Sequence, residues 1–141
     1  MKETIVRPRY AETDQMGVVY HGNYFTYFEV ARSDYFRQTG FTYKKLEQLG
    51  IIMPVLECQC QFIKSVLYDE NIEIKTKCYW NGKIKVKFVY EIYHEETKQL
   101  LAKGYTLHTF VDKHLKPVRI KQMDESFIKT LSAYSEEWGC D

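Results

Sequence analysis

Hydrophobic residues recur at helical spacing in one long stretch of the chain, residues 24–38. Intervals of three or four residues separate them, with polar residues between, which is the pattern of an amphipathic helix. The recurring positions are Tyr24, Phe28, Ala31 and Tyr35. Asn23 stands directly before this stretch, and we predict it as the N-cap because its side chain can accept a hydrogen bond from the first turn. Gly40 is the predicted stop, since glycine suits the residue after a helix.

After residue 50 the hydrophobic period changes to that of strands. Apolar and polar residues alternate over 72–80 and again over 84–92, as in strands that bury one face. Asn81-Gly82 between them predicts a hairpin with a two-residue turn. Residues 51–62 and 101–111 predict two further strands. Gly104 inside the last strand indicates a bulge or a point of close packing.

Shorter elements complete the predicted order. Residues 2–12 predict a first strand, with Pro8 at an edge or bulge. Thr42 is expected to cap a short helix over 43–49, and residues 127–134 predict a C-terminal helix. The order of one strand, a long helix and four strands predicts an α+β fold, an antiparallel sheet with the helix on one face. A chain of 141 residues without repeats or linkers is expected to form one domain, 1–141.

Composition narrows the class of protein mainly by exclusion. The net charge of +1 gives no case for a nucleic-acid or anionic-membrane partner. The N-terminal residues lack the apolar segment of a secretory signal, and no run approaches the roughly 18 apolar residues of a membrane span. We therefore expect a cytoplasmic protein.

The four cysteines lack the spacing of a zinc site. They lie at positions 58, 60, 78 and 140, without paired C-x-x-C or histidine motifs. No metal and no other cofactor is predicted. In a reducing compartment, free and mostly buried thiols are expected.

One carboxylate and one imidazole precede the long helix. Asp14 comes before a turn that contains Gly17, and His21 follows seven residues after Asp14. A helix N-terminus presents unpaired N–H groups and partial positive charge, which can stabilise a developing oxyanion. Acid–base or nucleophilic chemistry could therefore be placed within this one segment. On residue type alone, the commoner roles are an Asx-turn for Asp14 and simple packing for His21.

The stretch R-Y-x-E-T-D-x-M-G-V-V-Y-H-G-N-Y-x-x-Y-F-E-x-A-R, from Arg9 to Arg32, resembles the signature of a known family. It is similar to the 4-hydroxybenzoyl-CoA thioesterase-like branch of the hotdog superfamily, and within it to the small bacterial acyl-CoA thioesterases. The resemblance implies the hotdog fold, in which an antiparallel sheet wraps around one long central helix. It also implies hydrolysis of an acyl-CoA thioester to a free acid and coenzyme A. Members form a homodimer or homotetramer, with active sites at the dimer interface.

The same resemblance assigns roles to residues in the motif. Asp14 corresponds to the family's general base or nucleophile. His21 corresponds to a residue that assists, by orienting water or by placing its N–H against the thioester carbonyl. Glu29 matches the helix position that is catalytic in hotdog dehydratases, but beside Asp14 and His21 we interpret it as polar support or an ion-pair partner.

Basic residues later in the chain suggest contacts to the coenzyme A part of the substrate. Lys83 and Lys85, on one strand face with Lys87, correspond to family positions near the nucleotide phosphates; the alternative is a solvated face or edge protection. Lys64 and Ser65 correspond to a region near the pantetheine arm. An acyl carrier protein is a possible alternative carrier.

Two other functions remain open at this level. One is a hotdog module that binds an acyl thioester without turnover, and the other is a hotdog hydratase or dehydratase. The sequence leaves the length and type of the acyl group undetermined. The isolated histidines at 94, 108 and 114 are predicted to be structural or exposed.

Overall fold

A long helix lies across one face of an antiparallel sheet, which confirms the predicted α+β fold. The structure is a computed structural model and describes residues 1–119 and 123–138. The helices are α1 (Asn23–Thr39), α2 (Tyr43–Gln48) and α3 (Glu125–Tyr134). The strands are β1 (Lys2–Val6), β2 (Val55–Phe62), β3 (Ile72–Trp80), β4 (Lys85–His94), β5 (Leu100–Thr109) and β6 (Glu136–Glu137). The sheet order is β1-β3-β4-β5-β2, and the short β6 pairs with β3 in parallel.

The core forms between α1 and the inner faces of the central strands. Alternate residues of β3 and β4 point toward the helix and are buried, as the alternating sequence predicts. On the helix side, the predicted apolar positions are also buried. The Phe28 ring stacks on the Tyr90 ring, with centroids 4.3 Å apart and planes at 6°. This stacked pair of rings holds α1 over β4, the central strand of the sheet.

Gly104 allows β2, β5 and α1 to approach one another closely. A methyl group at this position would lie 2.2 Å from the Gln59 carbonyl oxygen and 2.9 Å from the Phe28 ring. Carbon atoms do not approach other atoms so closely, so a larger residue would push the helix or the strand away. The prediction of close packing at Gly104 is confirmed.

The predicted strands 84–92 and 101–111 differ from β4 and β5 by one or two residues at their ends, whereas the first two strands differ by four residues or more at one end. β1 ends at Val6, and residues Tyr10–Glu12 form a 3₁₀ turn instead of continuing it. The reason is that Val6 pairs with Ile72, the first residue of β3, so no partner remains beyond it. The strand predicted from residue 51 begins only at Val55, because Pro54 has no N–H to contribute to a ladder.

The start of α1 also differs from the prediction. Gly22 is the N-cap residue and Asn23 is the first residue inside the helix. The Asn23 side chain does not cap the helix but donates its Nδ2 hydrogen to the Glu12 carbonyl oxygen at 2.9 Å. Asn23 therefore makes a tertiary hydrogen bond to Glu12 in place of the local hydrogen bond that would cap its own helix. The predicted cap of α2 is confirmed, since the Thr42 side chain accepts from the Lys45 N–H at 3.3 Å.

The hairpin between β3 and β4 is confirmed, but its turn is longer than two residues. β3 ends at Trp80 and β4 begins at Lys85, so residues 81–84 connect them. The Asn81 side chain accepts hydrogen bonds from the Lys83 N–H at 2.9 Å and the Lys85 N–H at 3.2 Å. Lys83 therefore lies in the turn and not on the strand face predicted for it.

The strand β2 forms an open edge of the sheet. Within residues 1–119 and 123–138, no strand pairs with its outer side. Apolar side chains remain about half exposed at both ends of the strand, with Val55 at 51%, Leu56 at 52% and Phe62 at 51%. An open, apolar edge of this kind can pair with another chain. No helix among the described residues is long and apolar enough to cross a membrane.

The burial of the cysteines differs between the open edge strand β2 and the core. Cys58, Cys60 and Cys78 are free thiols. Burial raises the pKa of Cys78 to about 12 and that of half-buried Cys60 to about 11. Cys58 is exposed, which contradicts the expectation of mostly buried thiols, because it lies on the uncovered edge strand. Cys140 lies outside the described residues.

Candidate functional site

A cavity of about 280 Å³ lies at the N-terminal end of α1. Three segments enclose it: the loop that carries Asp14, the start of α1, and the residues that follow β2. The Val19 N–H donates to the Val66 carbonyl at 2.8 Å, which joins the first and third of these segments. The lining residues include four that the sequence singled out, namely Asp14, His21, Lys64 and Ser65.

Asp14 is half-buried at the wall of this cavity. Its Oδ1 accepts a hydrogen bond from the Met16 N–H at 2.8 Å, so the residue does form an Asx-turn. Gly17 completes the turn with φ at +76°, a conformation that favours glycine. No described residue donates a hydrogen bond to Oδ2. The turn thus fixes the carboxylate and leaves one oxygen available for a ligand or water.

His21 also lines the cavity, directly before the N-cap residue Gly22 of α1. Its ring is exposed and packs against the Tyr20 ring at 4.3 Å and, edge to face, against the Phe62 ring at 6.4 Å. Within the described ranges, the N–H groups of His21 and Gly22 donate no hydrogen bond. These two N–H groups precede the first turn of α1, where the helix dipole adds positive potential. They form a candidate site for an oxyanion.

Lys64 and Ser65 are exposed at the mouth of the cavity, directly after β2. The Lys64 ammonium donates to the Gln99 side-chain oxygen at 2.9 Å, which holds it near the opening. A cation at this place could meet a negatively charged part of a substrate that enters the cavity.

Lys83 and Lys85 do not join the cavity within one chain. Lys85 pairs with Thr109, whereas Phe62 at the cavity pairs with Ala102. Seven residues of β5 separate these positions, which corresponds to roughly 23 Å at about 3.3 Å per residue. The predicted coenzyme A contacts are therefore divided into a group at the cavity and a group at the far end of the sheet. Lys87, on the outer face, lies over the Tyr105 ring at 4.3 Å.

The chain matches the family model described as the Thioesterase-like superfamily over residues 8–131. It belongs to this family. One relative is YneP of Bacillus subtilis, whose name describes it as an acyl-CoA thioesterase. It is 34% identical over 118 residues, which cover 83% of this chain and 85% of that protein. The acyl-CoA thioesterase YbgC of Helicobacter pylori is 32% identical over 87 residues, covering 62% of this chain and 63% of that protein.

A solved structure gives the same result for the fold. The DHNA-CoA thioesterase of Staphylococcus aureus superposes with a TM-score of 0.87 and 37% identity, covering 93% of this chain and 88% of that one. The predicted hotdog architecture and the resemblance to bacterial acyl-CoA thioesterases are confirmed.

Two residues of the thioesterase-like motif were missed from the sequence as site residues, Glu12 and Tyr27. Tyr27 is buried and donates its hydroxyl hydrogen to Glu12 Oε1 at 2.8 Å. Burial and this contact with a carboxylate raise the pKa of the Tyr27 phenol well above its usual range. The only sequence signal was their presence in the quoted motif, because fifteen residues separate them along the chain.

The remaining polar candidates lie away from the cavity. Glu29 is exposed on α1 and forms no ion pair with any described residue, so of its two interpretations only polar support stays a prediction. His94 lies 3.4 Å from a Glu70 oxygen, His114 is exposed, and His108 is buried, as predicted for structural or exposed histidines. Among residues 1–119 and 123–138, no group of three or more His, Cys, Asp or Glu side chains could hold a metal ion.

Proposed function

We propose that residues 1–141 act as one acyl-CoA thioesterase domain, with Asp14 as the general base or nucleophile. The observation that carries the proposal is the cavity at the start of α1. Asp14 lines it with a half-buried carboxylate that has an available oxygen, and His21 lines it beside the start of α1, where the His21 and Gly22 N–H groups donate no hydrogen bond within the described residues. These are the two elements that thioester hydrolysis requires, one to activate the attacking oxygen and one to stabilise the oxyanion.

In the base mechanism, Asp14 takes a proton from a water molecule, and the water oxygen attacks the thioester carbon. The His21 and Gly22 N–H groups stabilise the negative charge on the carbonyl oxygen. The C–S bond then breaks, and coenzyme A leaves as the thiolate and gains a proton. In the nucleophile mechanism, the Asp14 carboxylate attacks the thioester carbon, the C–S bond breaks, and coenzyme A leaves as the thiolate and gains a proton. The resulting mixed anhydride is then hydrolysed by water to the free acid and the Asp14 carboxylate. Label recovered in the Asp14 carboxylate after a single turnover in ¹⁸O-labelled water identifies the anhydride route, because in the base route the labelled oxygen enters only the acid product.

The names of the relatives support coenzyme A as the carrier and an aromatic group as one class of acyl substrate. The Staphylococcus aureus relative is a DHNA-CoA thioesterase, and the Helicobacter pylori relative is an acyl-CoA thioesterase. We therefore choose a panel of test substrates that contains short, long and aromatic acyl-CoA thioesters, including 1,4-dihydroxy-2-naphthoyl-CoA. The corresponding acyl carrier protein thioesters test the alternative carrier.

The experiment is to follow thiol release from each member of the panel with a thiol-reactive dye, against a blank that contains enzyme alone. The blank is needed because the chain carries free cysteine thiols, among them Cys58, and a thiol-reactive dye modifies accessible thiols. Release above the buffer rate supports the hydrolase. Tight binding without release supports a non-catalytic module, and addition or loss of water without thiol release supports a hydratase or dehydratase.

A homodimer through the β2 edge completes this proposal. Two copies that pair their β2 strands antiparallel would place the Val55 end of one strand beside the Phe62 end of the other. Lys85 and Val55 lie at the same end of their own sheet, because their partners on β5 are Thr109 and His108. The partner's Lys83 and the partner's Lys85 would then lie toward the cavity of the first chain. This accounts for nucleotide contacts that one chain cannot make, and a homotetramer would follow from association of two such dimers.

A further inference from the structure

We infer that Glu12 is a positioning residue, which holds the Asp14 loop at a fixed place against the start of α1. This inference rests on the proposed thioesterase function. The Glu12 carbonyl oxygen accepts hydrogen bonds from the Tyr20 N–H at 2.9 Å and from the Asn23 side chain at 2.9 Å. Its side-chain Oε1 accepts from the Tyr27 hydroxyl at 2.8 Å. One residue therefore receives three donors from the segment that begins the helix.

These contacts lie between the two halves of the proposed catalytic site. Glu12 precedes Asp14 by two residues, and Tyr20 precedes His21 by one. The neighbouring bridge between Thr13 and Val19 joins the same two segments. Glu12 therefore acts together with this bridge and with the hydrogen bond from the Asp14 N–H to the Val18 carbonyl at 2.9 Å, and it adds the contacts to Asn23 and Tyr27 that tie the Asp14 loop to α1 itself. This also explains why Asn23 is used for a tertiary contact and does not cap its own helix.

The arrangement around Glu12 suits a fixed anchor better than a reacting group. The side chain does not line the cavity, and only 16% of it is exposed. Although burial alone would raise the pKa of Glu12, hydrogen bonds from Arg9 and Tyr27 hold it below its ordinary value. Arg9 contributes both its N–H at 2.9 Å and its Nε at 3.0 Å. The carboxylate therefore stays ionised at neutral pH, with its oxygens already engaged.

Tyr27→Phe is the sharpest test, because it removes one hydroxyl and keeps the ring in the core. If Glu12 positions Asp14, loss of this bond should lower kcat by about tenfold or more while KM changes by less than about twofold, since small displacements of a catalytic group reduce rate far more than binding. Glu12→Ala should lower kcat further, and Glu12→Gln should recover most of the activity because its Oε1 still accepts from Tyr27. The panel substrate with the highest wild-type rate is used throughout.

Tyr35→Phe is the matched control. Tyr35 lies on the same helix, is 2% exposed like Tyr27, and donates its hydroxyl to the Tyr134 carbonyl at 2.7 Å. The Tyr35→Phe variant loses the same kind of buried hydrogen bond, but far from Asp14. We therefore expect a lower melting temperature and a kcat near the wild-type value. Equal kcat values in Tyr27→Phe and Tyr35→Phe would overturn the inference, as would a Glu12→Gln variant no better than Glu12→Ala.

A second measurement does not depend on activity. The Met16 N–H donates to Asp14, so its amide resonance in an NMR spectrum reports the position of the Asp14 turn. We expect this resonance to shift in Tyr27→Phe and to stay in place in Tyr35→Phe. An unshifted Met16 resonance in Tyr27→Phe would overturn the positioning role. A wild-type protein that releases no thiol would instead refute the proposed function, independently of this result.

Discussion

His108 Nε2 lies 2.8 Å from Thr106 Oγ1 in the protein interior, at the end of a buried chain of hydrogen bonds. Thr106 contacts the Tyr90 hydroxyl at 2.8 Å, and Arg32 donates to Tyr90 at 3.1 Å and to Tyr43 at 2.6 Å. Burial and the nearby guanidinium charge lower the pKa of His108 to about 4. His108 is therefore neutral in the folded protein at neutral pH.

This arrangement predicts that stability falls as the pH drops from about 6.5 toward 4. Over this range the unfolded chain binds a proton at His108, because the ordinary histidine pKa is about 6.5, while the folded chain does not. The expected slope is at most about 1.4 kcal/mol per pH unit from this residue. Urea unfolding of the wild type and of His108→Gln at several pH values measures this slope of the free energy of unfolding. The variant should be less stable at pH 7 but show a flatter pH dependence, and parallel curves would contradict the assignment.

The open β2 edge predicts a dimer in solution. Light scattering at micromolar concentration should give twice the 16.9 kDa mass of one chain, or four times this mass for a tetramer. Leu56→Lys should weaken the dimer, because it places a charge at the exposed apolar edge. Ile5→Lys is the control, since Ile5 is similarly exposed on β1 at the opposite edge of the sheet. A monomer mass for the wild type would argue against the shared site.

The contribution of the hairpin lysines can be separated from catalysis. We expect Lys83→Ala and Lys85→Ala to raise KM for acyl-CoA and leave kcat nearly unchanged, because phosphate contacts far from the reacting carbon supply mostly uniform binding. The effect should decrease with salt, since exposed charges are screened beyond roughly 8 Å at physiological ionic strength. Lys103→Ala removes an exposed charge from β5 as a control. An equal rise in KM for acyl-pantetheine, which lacks the nucleotide, would contradict the phosphate role.

The fold was predictable where local pattern and tertiary packing agree. The strand Ile72–Trp80 matches its prediction at both ends, because each alternate residue faces the core for the whole length of the strand. The ends of β1 and β2 were not predictable in the same way. They depend on where a distant partner strand begins and on the missing N–H of Pro54, and the hydrophobic pattern reports neither directly.

The site was predictable only in part. Asp14 and His21 come from the motif, Lys64 and Ser65 from a separate region of the family resemblance, and the fold brings all four to one cavity. The contact between Glu12 and Tyr27 could not be read from the sequence, because it depends on how the loop folds against α1. The separation of Lys83 from the cavity follows from the strand register, which residue spacing alone does not reveal.

In the proposed mechanism the Asp14 carboxylate performs the chemistry, and kcat of the Asp14→Asn variant is the decisive measurement. The asparagine Oδ1 can still accept the Met16 hydrogen bond, so the turn and the melting temperature should be retained. Acyl-CoA should still bind, because the substitution neither opens a cavity nor adds charge. We predict that kcat falls by about a hundredfold or more, the range for a lost general base. A folded Asp14→Asn protein with near-normal kcat would contradict the account, because Asp14 would then only shape the turn.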